Sequence, residues 1–160
     1  MSTFYMQGSM SPEQSIKIFE SFFLPVQQII ALDNDFHMEL ERHFYDEDDD
    51  NAEDYFNIVE LKALQSKLLE FLISCEEGIN NEDDFDLAKT YKELVSNYRE
   101  VYSILYTTVI SVMENDDVSE NEIEKFNILL RKASSELDSS LNKFYDAAEQ
   151  FADENNIGLS

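Results

Sequence analysis

Cysteine, tryptophan, glycine, proline and positive charge are all scarce in this 160-residue chain. The single cysteine, Cys75, excludes an internal disulfide framework and fits a reducing compartment. Three glycines and two prolines are too few for the many tight turns of a β-sandwich or barrel. No stretch approaches the roughly 18 uninterrupted apolar residues of a membrane span. The first residues show no basic segment followed by an apolar run, so no secretory leader is expected. Also missing are a glycine-rich phosphate loop, a G-x-S-x-G turn and any zinc-type Cys/His spacing. No catalytic motif is present, and no cofactor is expected. Eleven Lys and Arg face 35 Asp and Glu, a net charge of −24. Such a surface repels nucleic acid and anionic membrane, and it attracts basic surfaces.

What remains suffices for a folded domain. The apolar fraction is an ordinary 43%, and 160 residues can bury a sizeable core. Residues 1–10, with the stretch "FYMQGSM", read as an arm or a protease-cleavage remnant. The fold argument therefore starts at Ser11, and residues 11–157 are expected to form one helical-bundle domain.

Helical periodicity dominates from Ser11 onward. Ser11-Pro12-Glu13-Gln14 is a capping box with proline at the first helical position. Beyond it Phe19, Phe23, Val26, Ile30, Leu40 and Phe44 share one face, with Pro25 expected to kink or split the helix. A second helix is read over 52–79, with Ile58, Leu61, Leu64, Leu68, Leu72 and Cys75 on its stripe and Gly78 at its end. The third steps through Leu87, Tyr91, Leu94, Tyr98, Val101, Leu105, Thr108 and Val112 without a slip. The fourth opens on the capping box Ser119-Glu120-Asn121-Glu122. It runs through Ile123, Phe126, Leu130, Ala133, Leu137, Leu141, Phe144, Ala148 and Phe151. Long helices with short connections predict an all-α, antiparallel up-down four-helix bundle. A bundle shared between two chains, a homodimer, is the alternative.

The acids cluster between the helices. Residues 45–51 carry −5, residues 81–86 carry −4, and Asp116 and Asp117 add −2. Anions in first helical turns complement the helix dipole, but five consecutive acids exceed that need. An EF-hand register fits Asp49, Asn51, Glu53, Asn57 and Glu60, yet the obligatory glycine position holds Asp54, so no metal site is expected. Asp33 and His37, one helical turn apart, read as a hydrogen-bonded polar pair within the bundle rather than as a catalytic or metal pair. A di-iron bundle is excluded because no Glu-x-x-His occurs. Cys75 reads as a buried, inert thiol.

These features predict a non-enzymatic cytoplasmic binding protein rather than an enzyme. Its acids would dock on a basic protein, such as a nucleic-acid enzyme, without touching nucleic acid or membrane. In charge and size only, it resembles DNA-mimicking inhibitors and the immunity proteins that cap nucleic-acid-degrading toxins. Asp46, Glu47, Asp48, Asp49, Asp50, Asp54, Asp116 and Asp117 are the expected contact residues, with Phe56, Tyr102, Tyr106 and Ile128 as secondary apolar contacts. The alternative is a structural adaptor that associates through the tyrosine-rich third helix, its acids serving solubility.

Overall fold

A computed structural model describes residues 11–45, 58–114 and 119–158, without the side chains of 43–45. Among these residues the chain is all-α. In order come α1 (Pro12–Tyr45), α2 (Ile58–Glu77), α3 (Asp86–Glu100), a π-helical turn (Val101–Leu105), α4 (Tyr106–Met113) and α5 (Glu120–Glu154). The π turn joins α3 to α4 as one continuous rod, and four rods pack against one another as a bundle.

The helix ends follow from local chemistry. At α1 the Gln14 amide donates to Ser11 Oγ at 3.2 Å, while the Ser11 amide donates to Gln14 Oε1 at 3.0 Å. At α5 the Glu122 amide donates to Ser119 Oγ, and that hydroxyl donates to Glu122 Oε1, both at 3.3 Å. The α1 pair is a reciprocal capping box, and at α5 the serine caps the Glu122 amide while its hydroxyl holds the Glu122 side chain. Both satisfy amides the first turn cannot use. Helix α2 stops at Glu77, and the Gly78 amide closes back on Ser74 O at 3.2 Å.

Pro25 does not split the first helix, which runs unbroken from Pro12 to Tyr45. Proline removes one backbone bond, but apolar residues on both sides of it enter the same core: Phe19 before, Val26 and Ile29 after. Burial of those side chains holds the two halves in one helix. The buried face continues through Leu32, Phe36 and Leu40, so the stripe drifts from Ile30 toward Ile29. By length and composition Pro12–Arg42 could also cross a membrane. A core helix passes the same test, and this one buries its stripe against the other rods, so its apolarity assigns no compartment.

Pairs of rings and charges record how the rods lie. Phe19 meets Phe151 and Phe23 meets Phe144, each at 6.4 Å between ring centres. Phe22 meets Tyr91 at 5.2 Å, and Tyr91 meets Phe144 at 6.4 Å. Lys62 pairs with Glu114 at 2.7 Å, and Arg99 pairs with Glu76.

The third rod corrects the unbroken stepping expected of it. Leu87, Tyr91, Leu94, Tyr98 and Val101 are buried as anticipated, but Thr108 is exposed, and Leu105 and Val112 are only partly covered. Tyr102, Tyr106 and Ile110 take the interior instead, at steps of four from Tyr98. The cause is the π turn, in which the Tyr106 amide reaches back five residues to Val101 O. A wider turn carries one residue more than an α turn, so every later side chain is displaced by one position around the helix.

Candidate functional site

Polar groups gather inside the bundle where α1 and α2 meet the π turn. Asp33 and His37 lie one turn apart on α1, at the border of its buried face. Asp33 Oδ1 stands 3.2 Å from His37 Nε2. The Tyr102 hydroxyl donates to that same Asp33 oxygen. The Tyr106 hydroxyl lies 3.1 Å from His37 Nε2. Phe36 closes the cluster on the core side, its ring 5.1 Å from Tyr102 and 4.7 Å from Tyr106. The His37 side chain keeps 36% of its surface and that of Asp33 18%, so the knot has one wet edge.

The geometry limits its chemistry. In a triad the carboxylate and the reacting group engage different imidazole nitrogens, so that the ring can pass a proton between them. Here both oxygens converge on Nε2, so the one nitrogen meets the carboxylate and the hydroxyl together. Among the described residues no group of three His, Cys, Asp or Glu side chains is placed to hold a metal ion. The arrangement ties α1 to the third rod. Burial, and then the Asp33 charge, push the Tyr102 and Tyr106 hydroxyls far above the ordinary tyrosine range, so both stay protonated.

Gln65 is the buried polar residue that the sequence stripe passed over. Its Nε2 donates to Tyr102 O at 2.7 Å and to Thr107 Oγ1 at 2.8 Å. In an α-helix the Tyr106 amide would bond Tyr102 O, but in the π turn that amide goes to Val101 O. Gln65 supplies the displaced carbonyl with a donor from a neighbouring rod. Replacing Gln65 with Leu should keep the volume and remove that donor. The expected loss is about 2 kcal/mol of unfolding free energy, because a buried carbonyl is left unpaired. Urea unfolding followed by circular dichroism measures it, and a loss below about 0.5 kcal/mol would contradict the role assigned to Gln65. The signal was legible in principle, since Leu61, Gln65, Leu68 and Leu72 keep the 4-3-4 spacing of an apolar seam.

No protein-family model, curated protein or solved structure matches this chain. The reading therefore rests on the residues themselves. Asp46, Glu47, Asp48, Asp49, Asp50, Asp54, Phe56, Asp116 and Asp117 lie outside the described residues. Tyr102 and Tyr106, expected as secondary contacts, are buried in the core, because the π turn rotates both inward and their hydroxyls are held by Asp33 and His37. Tyr91 and Tyr98 are buried too, so none of these four rings offers an adaptor surface on the isolated chain. Ile128 is 56% exposed on α5. Cys75 is half-buried, and burial pushes its thiol up despite a hydrogen bond to Tyr91, which makes it a poor nucleophile at neutral pH.

Proposed function

We propose that the protein is a non-enzymatic binding module that docks its acidic surface on a basic, nucleic-acid-binding surface of a partner protein and blocks it. The mode is that of a DNA-mimic inhibitor or an immunity protein. The observation that carries this reading is the charge, 35 acids against 11 bases on an all-helical scaffold. Carboxylates on packed helices present negative charge at low entropic cost and speed encounter with a Lys/Arg groove. Glu82 and Asp84 are exposed in the stretch between α2 and α3, and Asp86 is exposed at the start of α3. The proposal includes an up-down order of the rods, with a bend in α1 near Pro25. Lys62 near the start of α2 pairs with Glu114 just past α4, which supports a shared end for the two other acidic connections. It also includes a cytoplasmic location, for which the lone Cys75 is the support.

The test is capture from source-cell lysate with the tagged protein at low and physiological salt, followed by rate measurements on the captured partner. A basic nucleic-acid enzyme should bind at low salt and elute as ionic strength rises. Changing Asp46, Asp48, Asp49 and Asp50 to Asn and Glu47 to Gln should slow association by about tenfold or more. Association that is unaffected by those changes and by salt would refute the docking mode.

A further inference from the structure

The third rod carries two overlapping apolar stripes, and the π turn decides between them. In one unbroken α-helix from Tyr98, the stripe continues through Val101, Leu105, Thr108 and Val112. With the π turn in place, Tyr106 and Ile110 are buried instead, Leu105 and Val112 are only partly covered, and Thr108 is exposed. The two registers differ by one residue, about 100° of rotation and about 1.5 Å of rise. Their apolar content is close, since one buries Tyr106 and Ile110 and the other Leu105 and Val112. The α register regains the bond from the Tyr106 amide to Tyr102 O that the π turn gives up. Polar ties act the other way. Tyr106 meets His37, and Gln65 donates to Thr107 and to the displaced Tyr102 O. The His37 tie lies at the wet edge of the bundle, open to competition from outside.

We propose that α4 is a two-position element, which turns between the π register and an unbroken α register with the polar ties as its latch. Turning carries Tyr106 and Ile110 outward and brings Leu105, Thr108 and Val112 inward, so the surface beyond the π turn exists in two versions. Thr108, the polar residue on the α stripe, keeps that register the minor one. π turns inside α-helices recur at functional sites. Packed elements with two discrete arrangements pass from one to the other rather than deform continuously. A surface that takes the His37 nitrogen, or that binds the outward Tyr106, shifts α4 toward the α register by its differential affinity. The device does not depend on the acidic docking mode, and the two can fail independently.

Thiol labelling of the full chain with iodoacetamide reads the register. In a Cys75→Ser background, one cysteine is introduced as Ile110→Cys, Val112→Cys or Val95→Cys, the last at a fully buried position on α3 ahead of the turn. Tyr106→Phe removes the hydroxyl that meets His37, and Thr108→Leu supplies the apolar residue the α stripe lacks. Together these two changes should speed labelling at 110 by at least about tenfold. They should slow it at 112 by about twofold, as expected once half of the molecules have turned. Labelling at 95 should not change. Deleting Ile104 from the same chain should reverse both effects, because an unbroken α-helix then delivers residues 106 and 110 to the core without a π turn. Opposite movement at 110 and 112 is peculiar to rotation. Faster labelling at both sites would mean that α4 frays, and faster labelling at 95 that the whole chain unfolds; either overturns the proposal. So do unchanged rates at 110 and 112, or changes that the Ile104 deletion fails to reverse.

Discussion

Between pH 10 and pH 12 the protein should lose its helical structure in a single cooperative step. Tyr91, Tyr98, Tyr102 and Tyr106 are buried, and burial pushes all four hydroxyls well above their ordinary value. For Tyr98, Tyr102 and Tyr106 the Asp33 charge adds to that shift. In the unfolded chain the same groups ionise near pH 10. Below that pH neither state has lost phenolic protons, and the stabilising effect of burial is fully present. Above it the unfolded chain sheds protons that the folded protein still holds, so stability falls as pH rises. The slope is about 1.4 kcal/mol per pH unit for each tyrosine, or roughly 5 kcal/mol for four together. A domain of ordinary stability is consumed within about two units. The loss of helical circular dichroism should coincide with a cooperative phase of phenolate absorbance worth about four of the eight tyrosines of the chain. Tyr98→Phe should flatten the decline by about a quarter. Ionisation of all eight tyrosines with intact helix at pH 12 would show that these rings are not held as described.

The second large effect is expected from Phe36→Ala, which should cost about 4 kcal/mol of unfolding free energy. Phe36 is fully buried and packs edge-on against Tyr102, Tyr106 and His37. Removing the ring deletes its burial and opens a cavity beside polar groups that order the neighbouring helix. Water entering there would compete for Asp33 Oδ1 and His37 Nε2, which hold Tyr102 and Tyr106. The control is Met38→Ala, two residues on and exposed on the outer side of the same helix, where the change should stay within about 0.5 kcal/mol. Urea unfolding of the two variants measures the difference. Equal stabilities would mean that the aromatic packing around the π turn contributes little.

These expectations draw on different depths of information. The helix starts at Ser11 and Ser119 were legible because a serine cap and the amide it holds lie within four residues. The end of α2 before Gly78 was legible for the same local reason. The polar pair of Asp33 and His37 could be placed within the bundle from spacing alone. Its tyrosine partners could not be found this way, since they lie 69 residues away on another rod. Periodicity also assigned Thr108 and Leu105 to the interior in place of Tyr106. A stripe is drawn on an ideal helix and carries no record of a π turn. Phe126 and Leu130 pack against the core as their stripe implied, but Ile123 stays 44% exposed, because a pattern reports what a helix could bury and not whether a neighbour reaches it.

The sequence by itself determined the all-helical class, the capped ends of the helices and the excess of acid, since these depend on composition and on residues a few positions apart. Tertiary structure alone decided that Pro25 sits inside an unbroken helix, that Gln65 supplies a carbonyl displaced by the π turn, and that Tyr102 and Tyr106 face inward. Each of those outcomes depends on which groups from distant parts of the chain compete for the same buried space, a competition that packing resolves and local pattern does not contain.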